Sequence, residues 1–87
     1  MNYSFTLSVQ KKIRKLAKRR PEFVNQFDIR LSILQRNPRH ASLRLHKLEG
    51  FERQTWSISI TESLRALFIY VDDGILIVDV GTHDEVY

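Results

Sequence analysis

Near the amino terminus Tyr3, Phe5 and Leu7 alternate with Asn2, Ser4 and Thr6, and this period of two predicts a half-buried first strand. Ser8 closes the strand and is placed to cap a helix. Beyond it Val9, Ile13, Leu16 and Ala17 fall at helical spacing, with Lys11, Lys12, Arg14, Lys15, Lys18 and Arg19 mostly on the other side. The helix is expected to stop at Arg20, because Pro21 breaks the pattern and suits the first turn of a new helix, where Glu22 is favoured by the helix dipole. Phe23, Phe27, Leu31 and Leu34 form the second apolar stripe, with Val24 beside it, and Asn37-Pro38 ends it. Two helices with almost no loop between them are expected to form an antiparallel hairpin.

Everything after the hairpin reads as strand. Leu43, Leu45 and Leu48 alternate around Arg44, His46 and Lys47, and Glu49-Gly50 makes a turn. Trp56, Ile58 and Ile60 alternate with Ser57, Ser59 and Thr61, which predicts an amphipathic strand in which Trp56 belongs to the core. Leu64 to Val71 is nearly all apolar except Arg65. Asp72-Asp73-Gly74 then supplies turn chemistry, Ile75 to Val80 returns as a buried strand, and Gly81 is expected to end the sheet. The order is β-α-α-β-β-β-β, an α+β class. Connections this short between the last four strands exclude parallel crossovers, so an antiparallel sheet packed on the helical hairpin is expected.

Length and composition narrow the picture. A chain of 87 residues with 43% apolar residues is one domain, spanning residues 1–87, with a single core and modest stability. It has no cysteine, which removes disulfides, thiolate metal sites and thiol nucleophiles and suits a reducing cytosol. No apolar run approaches the roughly 20 residues of a membrane span, and the basic run follows the mixed first segment rather than preceding it as in an export signal. The cytoplasm is the expected location, with no membrane partner.

The net charge of +4 conceals a division. Residues 1–49 carry 12 basic and 3 acidic side chains, a net of +9, whereas residues 50–87 carry 2 and 7, a net of −5. A solvated helix face is the commonplace account of such a lysine run, but exposed helices usually intersperse Glu with Lys, and no acid stands between Met1 and Pro21. The cationic half therefore suits polyphosphate or an acidic partner.

Chemistry has few places to sit. His40, His46 and His83 lack metal-ligand spacing, no serine has a glycine-flanked elbow, and no glycine-rich loop precedes a helix. Basic and imidazole groups are what remains. Arg65 is either an edge arginine reaching water or a guanidinium held to clamp a phosphate. His83 follows the last strand directly and brings an imidazole to its end, so it is either an inert tail residue or a proton carrier. Tyr87 could donate a hydrogen bond, stack on a base, or dock its ring on the core. Arg44, His46 and Lys47 make the best local patch for RNA phosphate, with Arg44 and His46 on one face if the segment is extended; the alternative is an edge strand protected by charge.

On His46-Lys47-Leu48-Glu49-Gly50, Leu64-Arg65-Ala66-Leu67-Phe68 and the ending Val80-Gly81-Thr82-His83-Asp84-Glu85-Val86-Tyr87, together with the element order, the whole chain resembles the RelE/ParE superfamily of toxins from toxin–antitoxin modules. RelE-type members are metal-independent endoribonucleases that cut mRNA in the ribosomal A site, whereas ParE-type members act on DNA gyrase without a nuclease site. Fold alone does not choose between them.

The resemblance implies that Arg65 contacts the phosphate, that His83 transfers a proton as acid, that Tyr87 works beside it, and that His46 is the base. Arg44 and Lys47 would bind RNA backbone. No cofactor or metal is implied. The third strand departs from the family, offering Ser57, Ser59, Thr61 and Ser63 where RelE-like members present lysines and YafQ-like members a His and an Asp. The implied partners are a cognate acidic antitoxin, mRNA with the ribosomal A site, and operator DNA only through the antitoxin complex. The rival expectation is a ParE-like protein that binds and poisons gyrase; a third is a degenerate member retained as a corepressor with its antitoxin.

Overall fold

The stripe of α2 (Glu22–Arg36) decides where the core lies. Phe23, Phe27, Leu31 and Leu34 recur at helical spacing, and none is more than 4% exposed. Val24, beside the stripe, stays 41% exposed. Helix α1 (Leu7–Arg19) adds Val9, with Ile13 and Leu16 partly buried. Opposite them stand Ile58 of β3 (Thr55–Ser59), Leu64, Ala66 and Phe68 of β4 (Leu64–Val71), and Ile75, Ile77 and Val80 of β5 (Gly74–Thr82). These side chains form one cluster, and each large one removed from water contributes about 1.5–3 kcal/mol. In this computed structural model, which describes residues 2–87, two helices therefore cover one face of a five-stranded sheet. No helix among the described residues is long and apolar enough to cross a membrane.

The helices meet as expected at Arg20-Pro21, where the Arg20 N–H closes α1 on the Leu16 carbonyl at 2.7 Å and Pro21 takes helical angles before α2. The start of α1 differs from expectation. Thr6, not Ser8, is its cap, accepting the Val9 N–H at 3.2 Å. Leu7 consequently opens the helix and is 77% exposed rather than ending a strand. The first strand is shorter, β1 (Asn2–Phe5), and only Phe5 reaches the core, its ring 5.9 Å from that of Phe27.

The sheet order is β1-β5-β4-β3-β2, with β2 (His46–Leu48) at the far edge. The last four strands pair antiparallel, but β1 runs parallel to β5, with Asn2 opposite Gly74 and Phe5 opposite Ile77. The sheet is thus mixed rather than wholly antiparallel. The expectation considered only the short connections, while the chain between β1 and the other strands includes both helices and is long enough to let β1 arrive from either direction. Gly74 makes this pairing possible: a Cβ there would stand 1.8 Å from the Asn2 carbonyl oxygen.

Two further differences shape the site. The segment around Leu43 is a 3-10 turn (Ala41–Leu43), ended by Arg44 in the left-handed region at φ 47°. The sheet does not end at Gly81 but runs through Thr82, passing a bulge at which Phe68 faces Ile77 and Leu67 faces Asp79. Thr82 then caps a single helical turn, α3 (His83–Val86), with a reciprocal capping box: its hydroxyl accepts the Glu85 N–H while the Glu85 carboxylate accepts the Thr82 N–H.

Candidate active site

Strand register gathers the polar residues on the face away from the main core. His46 lies opposite Ser57, Ser57 opposite Leu67, and Ser59 opposite Arg65, so alternation puts His46, Ser57, Ser59 and Arg65 on one side. Trp56, Ile58 and Phe68 take the other. Helix α3 then carries Tyr87 back over this face, its N–H closing the turn on the His83 carbonyl at 3.0 Å, and Val86 is buried as its anchor.

The result is a closed hydrogen-bond network. Arg65 Nε donates to Ser57 Oγ at 2.7 Å, and its Nη2 donates to the Arg44 carbonyl at 3.2 Å. The Tyr87 hydroxyl also donates to Ser57 Oγ, and the Arg65 guanidinium carbon lies 5.9 Å from the Tyr87 ring centre. Ser57 is fully buried and uses both lone pairs as acceptors. The guanidinium is thereby held at two of its nitrogens while remaining partly exposed.

Histidine 46 completes the ring. Its Nδ1 stands 3.1 Å from the Arg44 carbonyl, which can only accept, and 3.5 Å from Arg65 Nη2, which can only donate and already gives a proton to the Arg44 carbonyl at 3.2 Å; the shorter contact assigns the proton to Nδ1. In the neutral ring Nε2 is then the free acceptor, 3.3 Å from the Tyr87 oxygen. The Tyr87 hydroxyl proton has two destinations, His46 Nε2 or Ser57 Oγ. When His46 gains a proton, Nε2 becomes a donor to the Tyr87 oxygen and the hydroxyl proton goes to Ser57. With the phenol donating to Ser57, the neutral Nε2 keeps an unclaimed lone pair, and on gaining a proton it donates to the Tyr87 oxygen, as a group that accepts a proton requires.

His83 is placed differently. It opens α3, its side chain is 70% exposed, and Nδ1 is 3.5 Å from the Asp84 carboxylate. It touches the network through the Tyr87 ring, edge to face at 4.3 Å between centres, while His46 meets the same ring at 6.1 Å. Tyr87 thus lies between two histidines. Glu85 keeps α3 in place, and the hydrogen bonds from Thr82 hold its carboxyl below the usual carboxylate range.

Of the two backbone-binding candidates, Arg44 does not share the face of His46 that an extended segment would give it, and Lys47 lies on the other side as alternation requires. Lys47 pairs with Trp56 and points to the opposite side from His46, and the left-handed turn at Arg44 breaks the alternation. Arg44 contributes its carbonyl instead. Ser57, noted in the sequence only as a departure, is central; the alternating Ser57 and Ser59 opposite Trp56 and Ile58 were the available signal. Among the described residues no group of three or more His, Asp and Glu could hold a metal.

No family model and no curated protein matches the chain in sequence. Solved structures match it closely in shape. A YoeB/ParE toxin from Agrobacterium tumefaciens superposes with a TM-score of 0.79 at 18% identity, covering 95% of this chain and 99% of that one. The toxin in the E. coli DinJ-YafQ toxin–antitoxin complex gives 0.80 at 18%, covering 99% and 96%. The YoeB dimer from Staphylococcus aureus gives 0.76 at 18%, covering 95% and 97%. Over essentially its whole length, then, the chain has the RelE/ParE-like fold shared by the YafQ and YoeB toxins.

Proposed function

We propose that the protein is the toxin of a toxin–antitoxin module and acts as an endoribonuclease on mRNA, with the ribosome presenting the substrate. The observation that carries this reading is the network in which Arg65, His46 and Tyr87 are fixed around Ser57 and the Arg44 carbonyl. It provides the parts for transfer within RNA. With the Tyr87 phenol donating to Ser57, the lone pair of His46 Nε2 is left for a ribose 2′-hydroxyl, which loses its proton there and attacks the adjacent phosphorus. The negative charge that grows on the phosphorane oxygens lies against the Arg65 guanidinium, held in place before the reaction starts. The bond to the 5′-oxygen breaks, and that oxygen takes a proton from His83, leaving a 2′,3′-cyclic phosphate and a 5′-hydroxyl. Tyr87 holds His46 and separates base from acid.

Exposure of His83 is consistent with a group that meets its partner only when RNA is bound. Alignment of the strand by the ribosome would add the entropic part of the rate enhancement. The basic half of the chain supports an acidic antitoxin as partner, since of the cations of α1 only Lys12 meets an acid among the described residues, Asp79. Contact with operator DNA would come through that complex.

The test is incubation of purified protein with mRNA-programmed ribosomes and with free mRNA, comparing wild type, His46→Ala and His83→Ala and mapping the ends. Ribosome-dependent cuts with cyclic phosphate ends, lost in the variants, are expected. Intact mRNA from a folded protein that still arrests growth overturns the nuclease reading in favour of gyrase as target.

A further inference from the structure

A cavity of about 580 Å³ lies outside this network, between the segment after α2 and the helix-side face of β3 and β4. Arg39, His40 and Arg44 border it on one side and Trp56 and Tyr70 on the other. Its size falls within the range of ligand sites, roughly 300–1,000 Å³. We propose that it is a nucleotide subsite, holding one base and its two flanking phosphates at a stretch of the RNA strand beyond the one that enters the network on the other face of the sheet.

Four observations support this. Tyr70 is 47% exposed on a strand otherwise largely buried, and its ring meets that of Trp56 edge to face at 6.1 Å and 79°, so the two make an aromatic corner rather than an ordinary core contact. The indole Nε1 of Trp56, a residue that lines the cavity, is buried and has no hydrogen-bond partner, a cost that an acceptor on a bound base would remove if it reached that atom. His40 Nδ1 accepts the Ser42 N–H at 3.2 Å, which leaves Nε2 as a donor; Arg39 and Arg44 have no carboxylate at ion-pair distance among the described residues. Three donors beside two aromatic rings is the chemistry of a phosphate joined to a base. Arg44 links the two places, because its carbonyl holds Arg65 and His46 while its side chain borders the cavity. An acidic peptide would use the cations but not the aromatic corner. The inference rests on the nuclease reading only for the identity of the polymer.

Trp56 is the sole tryptophan and lines this cavity, so tryptophan fluorescence comes from its wall alone. The probe is a 2′-O-methyl RNA hexanucleotide, which cannot be cleaved because its nucleophiles are blocked. Saturable quenching is expected, with an affinity that falls with salt at a slope of about −1.4 for two phosphate contacts, halved in Arg39→Ala. Tyr70→Ala should weaken binding roughly tenfold, the scale of one stacked base. Arg39→Ala is a solvent-exposed change, so it keeps the test valid should Tyr70→Ala fail to fold. His83→Ala, whose contacts are to Asp84 and the Tyr87 ring and not to the cavity, should lower cleavage and leave quenching intact, which separates the two readings. Quenching with no cleavage by the wild type supports the subsite while overturning the nuclease. Absence of saturable quenching up to millimolar probe, unchanged affinity in Arg39→Ala, or equal quenching by polyglutamate overturns the subsite, the last in favour of an acidic peptide.

Discussion

Tyr87 and Ser57, thirty residues apart in sequence, meet through a hydrogen bond in which the phenol donates to a fully buried serine oxygen. The same oxygen accepts from Arg65 Nε, so one hydroxyl in the middle of the sheet sets both the phosphate-binding cation and the aromatic ring that reaches the histidines.

Replacing that hydroxyl tests its role. Ser57→Ala leaves the charged Arg65 Nε without an acceptor and frees the Tyr87 phenol. Loss of a hydrogen bond to a charged group is worth about 1.5–3 kcal/mol, so kcat for ribosome-dependent cleavage should fall roughly ten- to a hundredfold. Stability by urea unfolding should drop by only about 1–2 kcal/mol, because the cavity left behind is small. A variant that cleaves at the wild-type rate would show that Ser57 positions nothing.

Removal of the imidazole should be more severe. His46→Ala should lower single-turnover cleavage about 10²- to 10⁴-fold, the contribution of a positioned base. Tyr87→Phe keeps the ring against His83 and loses only the hydroxyl, so its cost should be nearer tenfold. Equal losses in the two variants would move the proton transfer from His46 to Tyr87.

Acid should loosen α3 before it unfolds the protein. The carboxyl of Glu85 titrates below its ordinary value of 4.5 because the Thr82 N–H and hydroxyl favour its charged form. The sign follows from linkage: a carboxyl depressed in the folded state stabilises it fully above the unfolded pKa, and that contribution disappears as pH falls through the lower folded value. The chemical shift of the Thr82 amide proton, which the Glu85 carboxylate accepts, should therefore be constant down to about pH 5 and change below 4.5. Glu85→Gln should remove this step. A step that persists in Glu85→Gln would assign it to another acid.

Gly74→Ala tests the parallel edge. The added methyl would overlap the Asn2 backbone rather than a movable side chain, so β1 must shift or detach. A loss of about 1–3 kcal/mol is expected, the scale of overpacking, with faster amide exchange confined to Asn2–Phe5 and its partners in β5. Unchanged exchange there would mean that β1 tolerates the methyl in register.

The helices were legible because their signal is local. The four-residue rhythm of Phe23, Phe27 and Leu31 with Leu34 names its own buried face, whatever lies opposite. The alternation through Trp56 and Ile58 likewise separated the core side from the side that became the site. The cap was misread because Thr6 and Ser8 offer the same chemistry two residues apart, and the apolar Leu7 fits either a strand or the first turn. Arg65, His46 and Tyr87 were named from the sequence and meet in one network, whereas Arg44 was named for its side chain and serves that network through its carbonyl.

By itself the sequence determined the order of the two long helices and five strands, the faces they bury and the basic character of the first half, since each depends on spacing within a few residues or on composition. Tertiary structure alone decided that β1 lies parallel beside β5, that Arg44 turns left-handed, and that a buried serine joins Arg65 to Tyr87. Those outcomes depend on which strands become neighbours. The hydrogen bonds of the site span 8, 21, 30 and 41 residues, and such partners are chosen by strand order and register, which no local period encodes.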